Sequence, residues 1–335
     1  MLLACVLTVS ATAQTQSTVY MSVISSGAFV VGAANSQTGL FFHNTDTDTV
    51  WQHAGPTRIR ANGFAVDPAS GGRRLYIAAG NGVHASTDAG RSWRMLTDWR
   101  ITEALSIAID PHRNSRLFLG TAYGVFVSVD AGATWKPSNK GRRAPFFTQQ
   151  IVADARIPGR VYCAAEDGLY RSDDGATSWK RTGLTAIELR CIAVDPANST
   201  VLLAGTENDG LHRSSDAGRT WTRCPTGSDS TFYTVVFDPT NAGSAFAGGH
   251  QTGVFRSVDG GISWQRSVAG LKATSVHALA VDPLHHERVY AGTIWGGVYR
   301  STDAGVSWLY AGLIDSQVVC LSILAFDAGV PHAHE

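Results

Sequence analysis

Short apolar runs broken by turn-forming residues recur along the whole chain. In residues 278–310, "ALAVDP" is an apolar run ended by Asp-Pro, "RVYAGT" is a second, "GVYRS" a third and "WLYA" a fourth. Runs of this length, closed by Asp, Gly and Pro, predict β-strands joined by tight turns. The same unit can be laid on "FAVDP…LYIAAG…GVHAS", "IAIDP…LFLGT…GVFVS", "IAVDP…LLAGT…GLHRS" and "VVFDP…AFAGG…GVFRS". Another copy keeps the shape as "IVADA…VYCAA…GLYRS" but lacks a Pro after Asp154.

One phrase stands between the third and fourth runs of each unit. It reads "STDAGRSW" at 86–93, "SVDAGATW" at 128–135, "SDDGATSW" at 172–179, "SSDAGRTW" at 214–221, "SVDGGISW" at 257–264 and "STDAGVSW" at 301–308, with a worn copy, "NTDTDTVW", at 44–51. The starts lie 42, 42, 44, 42, 43 and 44 residues apart. A fixed period of this size, with four short strands in each copy, predicts propeller blades. The expectation is an all-β fold, a single seven-bladed β-propeller of four-stranded antiparallel blades over residues 18–327 whose blades share one continuous core.

The phrase itself has the chemistry of a turn. Its Asp can accept bonds from backbone N–H groups of its own loop, and the Ser or Thr hydroxyl can close that loop. The Gly two residues on supplies a backbone shape that a side chain opposes. The Trp buries a large apolar area and carries an N–H to anchor. Asp48 stands in the Gly place of the first copy and Ala176 in that of the fourth, so those turns are expected to be less regular. Each copy offers too few carboxylates to complete a calcium shell, and no metal or other cofactor is expected.

These residues match the Asp box, S-x-D-x-G-x-[ST]-W, and the chain resembles the Asp-box (BNR-repeat) propeller superfamily over nearly its whole length. That superfamily includes sialidases, sortilin-type receptors, xyloglucanases and the photosystem II assembly factor type. The resemblance implies that the boxes serve folding and lie away from the functional face. A single seven-bladed ring is most similar to the assembly factor type, which implies a non-catalytic binding propeller. Sialidases carry an arginine triad, an early R-I-P motif and a Tyr/Glu pair; here the nearest match is Arg58-Ile59-Arg60, with Arg in place of Pro.

Closure of the ring involves both ends of the chain. "CLSILAFDAG" at 320–329 reads as an extra first strand, and "TVYMSVI" at 18–24 also lies where a first strand of blade one belongs. The C-terminal run is expected to pair into blade one, because closure removes exposed sheet edges. Residues 328–335 are expected to form a flexible tail, in which His332 and His334 have no third ligand nearby.

Composition narrows the class of partner. Lys plus Arg and Asp plus Glu number 27 each, with no basic run, so nucleic acid is not expected. Residues 2–9 are almost all apolar and Ala11-Thr12-Ala13 fits a signal-peptidase site, so residues 1–13 are expected to be a signal peptide and the protein to be exported, periplasmic or extracellular. That run is too short to span a bilayer. Cys163, Cys191, Cys224 and Cys320 are irregularly spaced and read as scattered small apolar residues.

Function must come from a site. The fourth-to-first and second-to-third loops share one end of a propeller and are the variable ones here. Counting seven residues back from the Asp that ends each first strand gives Arg60, Glu103, Phe147, Glu188, Thr231, Ser275 and Cys320. Counting five back gives Asn62, Leu105, Gln149, Arg190, Tyr233, His277 and Ser322. Both sets are expected to line the channel mouth. Arg60, Phe147, Arg190, Tyr233, His277 and Trp295 are the candidate binding residues. Glu103 and Glu188, equivalent places two blades apart, are weak catalytic candidates, since glycoside hydrolysis needs paired carboxylates. The loop Lys136–Gln150, with Lys140, Arg142, Arg143, Phe146 and Phe147, is a candidate grip for a partner. The reading is a monomeric, exported binding scaffold for a protein or glycan; the alternative is an exo-acting glycoside hydrolase or a polysaccharide lyase.

Overall fold

The computed structural model describes residues 15–26, 38–45, 50–56, 59–143 and 147–327. The expected signal segment 1–13 and tail 328–335 lie outside them. Seven four-stranded sheets follow one another along the chain, each antiparallel, with one short 3₁₀ turn, Pro68–Ser70. Blades two to seven each take their four strands in sequence order. The protein is a seven-bladed β-propeller.

The second strand of each blade explains the apolar runs. Leu75–Ala79, Val161–Ala165, Leu202–Thr206, Ala245–Gly249 and Val289–Thr293 are buried at every position. A strand covered by neighbours on both faces reads as a continuous apolar run instead of an alternating one. The core is seven apolar clusters among the described residues, each spanning two adjacent blades. Near the axis some second-strand positions are packed so tightly on the next blade that they leave no room for a side chain. A Cβ on Gly205 would sit 2.5 Å from the Phe232 carbonyl oxygen, and one on Gly248 2.5 Å from Val276 Cγ1, in each case on the next blade's first strand.

Blade one is closed by the far end of the chain, as expected. Its innermost strand is Ser316–Asp327. The N-terminal strand Thr15–Ser26 takes the second place, not the first, followed by Gly39–Asn44 and Gln52–His53. The pairing of the two terminal strands runs from Thr15↔Asp327 to Ser26↔Ser316. Further contacts tie the seam to blade seven: Ser17 Oγ donates to Asp282 Oδ1 at 2.5 Å, and Trp51 Nε1 to the Ala311 carbonyl at 2.8 Å.

The recurrent turn is a closed hydrogen-bond circuit. In the second copy Ser86 Oγ donates to Asp88 Oδ1 (2.7 Å) and accepts from Gly90 N (2.8 Å), while Ser92 N and Oγ donate to the two Asp88 oxygens (2.9 and 2.6 Å). The fourth copy forms the same circuit through Ser172, Asp174, Ala176 and Ser178, so the expected irregularity is not found there. Ala176 takes the left-handed φ of 62° that Gly takes elsewhere. A single alanine tolerates this when the surrounding bonds hold it. Asp48 of the first copy lies outside the described residues.

Several of the box tryptophans reach backwards, while Trp221 and Trp264 bond to the Gly carbonyl of their own turn. Trp93 Nε1 donates to the Ala54 carbonyl (3.0 Å), Trp179 Nε1 to the Ser138 carbonyl (2.9 Å) and Trp308 Nε1 to Ser267 Oγ (3.1 Å), each partner at the end of the preceding blade's fourth strand. In these copies the phrase staples neighbouring blades.

Candidate functional site

A β-bulge in every innermost strand shapes the channel wall. Ala61 and Gly63 pair with consecutive residues of the second strand, which leaves Asn62 without a ladder partner. Leu105, Gln149, Arg190, Tyr233 and His277 are left out in the same way in blades three to seven. In blade one the extra residue is Val319, not the Ser322 given by counting, because that first strand runs three residues further past the bulge. An inserted residue bends its strand and re-aims its side chain. Asn62, Leu105, Gln149, Arg190, Tyr233, Val319 and Cys320 line one central pocket.

The bulges explain why counting found the ring. Each fixes the distance between the pocket residue and the Asp that ends the strand. That Asp caps the following turn: Asp67 Oδ1 accepts from Ala69 N, and Asp282 Oδ1 from Leu284 N. In blades two, three and seven an arginine partner helps hold this carboxylate in place, as in Arg74–Asp67 (3.3 Å) and Arg288–Asp282 (3.1 Å).

The chemistry concentrates in blades five to seven. Arg190 is clamped between two carboxylates: Nη2 lies 3.2 Å from Glu188 Oε1, and Nε donates to Glu207 Oε2 at 2.5 Å. Glu207, in the second-to-third loop of blade five, escaped the sequence reading because counting along first strands cannot reach it. Tyr233 lies flat on His277, ring centroids 3.8 Å apart. Burial raises the Tyr233 phenol above its ordinary value, with Glu207 adding to the effect. Burial, then the charges of His250 and Arg190, lowers His277 to about 4, so its ring is neutral at ordinary pH.

The seven-back positions play a different part. The carbonyls of Glu103, Phe147, Glu188, Thr231 and Ser275 accept from the second-to-third loops of their own blades, from Ala122, Glu166, Glu207, His250 and Ile294 N at 2.8–3.3 Å. They are backbone clamps for the loop face. Cys320, counted with them, sits among the bulge residues in the pocket. The Glu103 side chain is exposed, while Glu188 is paired with Arg190. Arg60 is exposed and Phe147 half-buried. Trp295 is 51% exposed at the tip of the blade seven second-to-third loop.

The loop Lys136–Gln150 is partly structural. Lys136–Pro137 is the fourth strand of blade three. Arg142 is buried, donates to Thr148 Oγ1 at 3.2 Å and stacks over Tyr170, so it is not available to grip a partner. Phe146 lies outside the described residues. Cys163, Cys191 and Cys224 are buried free thiols, and Cys320 is half-buried. Among the described residues, no three His, Cys, Asp or Glu side chains gather as a metal site would require, and no helix is long and apolar enough to cross a membrane.

No family model matches the chain, and no curated protein matches it in sequence. Solved structures match its fold. A GH74 xyloglucanase from Xanthomonas campestris aligns with a TM-score of 0.67 at 21% identity, over 90% of this chain and 55% of that one. A GH74 enzyme from Niastella koreensis aligns with a TM-score of 0.57 at 16% identity, over 88% and 62%. YCF48 bound to D1 peptide aligns with a TM-score of 0.57 at 15% identity, over 73% and 80%. The chain thus spans little more than half the length of the GH74 proteins it matches. At these identities the likeness is one of fold.

Proposed function

We propose that the protein is an exported, non-catalytic binding scaffold that engages a protein or a glycan on the loop face of its propeller. The observation that carries this reading is the ring of bulges. Seven strands each give up one ladder pairing to turn a residue into the channel, and three of the five polar ones cluster as Arg190, Tyr233 and His277 beside Glu188 and Glu207. Bulges of this kind are typical of sites that present side chains. The recurrent turns, with their Asp-centred circuits, support kinship with the Asp-box propellers, in which such turns serve folding. The fold likeness to YCF48, whose structure holds a peptide, supports a peptide or protein partner.

A second reading, a glycoside hydrolase, is favoured by the likeness to GH74 enzymes. The paired state of Glu188 argues against it, because a general acid needs a carboxyl kept protonated by an apolar setting. Arg60, Phe147 and Trp295 belong to the proposed binding face with the mouth cluster.

Co-purification from the exported fraction of the source cells tests the scaffold reading. Wild type and the turn-face control Leu284→Ala should retain a common partner that Arg190→Ala and Tyr233→Ala lose. Equal retention by all four would overturn it. Export is checked by the mature N-terminus, expected at Gln14; a cytosolic product that keeps Met1 would sink that part.

A further inference from the structure

Exposed aromatic rings are not spread evenly over the molecule. Trp99 is 80% exposed, Tyr123 58% and Trp295 51%, and all three stand in loops of the channel-mouth face. Tyr310, 51% exposed, lies on the outer edge in the fourth strand of blade seven. The opposite face, built of the first-to-second and third-to-fourth turns, exposes aliphatic side chains such as Val129, Val258, Ile262 and Leu284, and no Phe, Tyr or Trp ring among its described residues reaches this exposure.

Trp295 is held out at a cost to the fold. Its φ is 64°, a left-handed conformation that is an outlier for a bulky residue. The equivalent places in blades five and six are Asn208 (φ 56°) and Gln251 (φ 54°), polar residues, Asn being common in this conformation. The loop is pinned from both sides: Ile294 N donates to the Ser275 carbonyl and Trp295 N to the Ser316 carbonyl, each at 3.0 Å. A half-exposed ring on a strained backbone contributes little to folding, and the strain points to a role in presenting the ring. Blades seven and three are three steps apart one way round the ring and four the other. Trp295 therefore flanks one side of the mouth, and Trp99 with Tyr123, on the loops at blade three, the other.

Between them the charges are matched locally. Arg190 is satisfied by Glu188 and Glu207, and His277 is neutral. An anionic polymer needs several unpaired cations, and the arginine at the centre of this mouth is already claimed by two carboxylates, which leaves the exposed Arg60 at the rim. What it presents instead is donors and acceptors side by side: the guanidinium, two carboxylates 35% and 29% exposed, the Tyr233 phenol and the Gln149 amide. Hydroxyl groups, which both donate and accept, match such a surface. Sugar rings also carry apolar C–H faces that stack on flat aromatic side chains, which lose little conformational freedom in binding.

We infer that the loop face binds an uncharged polysaccharide, with sugar rings stacked on Trp99 and Trp295 and one residue seated over the Arg190–Tyr233 mouth. This rests on the scaffold reading and commits it to one ligand class.

Affinity electrophoresis and titration calorimetry against soluble β-glucan, xyloglucan and galactomannan, with pectin and alginate as acidic counterparts, test it. At least one uncharged polysaccharide should bind, and the acidic ones should bind more weakly. Trp99→Ala should weaken binding about tenfold. Trp295→Asn, which places at this conformation the residue found in blade five, should weaken binding similarly while raising the melting temperature, so lost binding cannot be blamed on lost folding. Leu284→Ala should change neither. No binding to any uncharged polysaccharide, or binding unmoved by both tryptophan variants, would overturn the inference. Mouth-dependent retention of a protein partner in place of the glycans would also overturn it while leaving the scaffold reading intact. Cleavage of a bound polysaccharide with the same tryptophan dependence would uphold the ligand class and defeat the scaffold reading.

Discussion

Tyr233 of blade six lies against His277 of blade seven at 3.8 Å, their planes tilted by only 23°. Two bulges in adjacent strands bring these rings together, and each covers one face of the other. The stack is at once channel wall and inter-blade contact.

This stack makes the mouth sensitive to acid. Burial first, then His250 and Arg190, lowers His277 to about 4 from its ordinary 6.5. The unfolded chain therefore binds the proton more readily, so the contribution of His277 to stability is full above about pH 6.5 and is lost as pH falls towards 4. Melting temperatures measured from pH 7.5 to 4.5 should decline more steeply in wild type than in His277→Gln. Parallel slopes would show that this ring does not carry the effect.

The turns should fail at lower pH. The Thr134 hydroxyl, with its amide and the Ser128 hydroxyl, holds Asp130 at about 2. The Ser307 hydroxyl heads the corresponding list for Asp303, also at about 2. Both lie below the ordinary 3.8, so their stabilisation is present above about pH 4 and lost as pH falls through 2. Asp130→Asn should lower the melting temperature at pH 7 and narrow the gap to wild type near pH 2. A gap of constant size across that range would rule out the carboxylate's charge as the cause. Chelators should leave the melting temperature unchanged, since each described Asp of the turns is satisfied by hydroxyl and amide donors.

Tryptophans of the same phrase should differ in weight. Trp308 is 1% exposed and bonded to Ser267, whereas Trp221 is only half-buried and bonds within its own turn. Trp308→Ala should cost about 3–5 kcal/mol in denaturant unfolding, in the range for truncated buried aromatics. Trp221→Ala should cost distinctly less. Equal losses would mean that the phrase acts through its turn and not through the staple between blades.

The carboxylate pair separates scaffold from enzyme. Glu188→Gln weakens the clamp on Arg190 and should shift partner affinity modestly. Glu103→Gln, at an exposed side chain, should do less. Hydrolysis of a glycan that vanishes in both variants, each with a native circular dichroism spectrum, would refute the scaffold reading.

The repeat was legible because its turns are local. Ser86, Asp88, Gly90 and Ser92 satisfy one another within a few residues, so the phrase must be written out in each blade. The seam was harder to read. Both terminal runs are apolar, and nothing in "TVYMSVI" says that another strand will lie inside it; that is decided by pairing with residues some three hundred positions away. The channel ring was within reach of counting because each bulge keeps a fixed offset from a capping Asp, and counting failed in blade one, where the offset changes. Glu207, Trp99 and Tyr123 had no such marker. They lie in loops of differing length, where neither periodicity nor turn chemistry fixes a position.

The inner strand of blade one has a consequence for biosynthesis. A ribosome makes Ser316–Asp327 after the other twenty-seven strands of the described residues have been made. Until it arrives, Thr15–Ser26 has no inner partner and the ring is an open arc with a bare strand at its axis. Unpaired strand edges are what draw chaperones and aggregation. The nascent chain is therefore vulnerable until this strand has been made, and a lesion in Ser316–Asp327 would act as a failure to close the ring, with damage far from where it occurs.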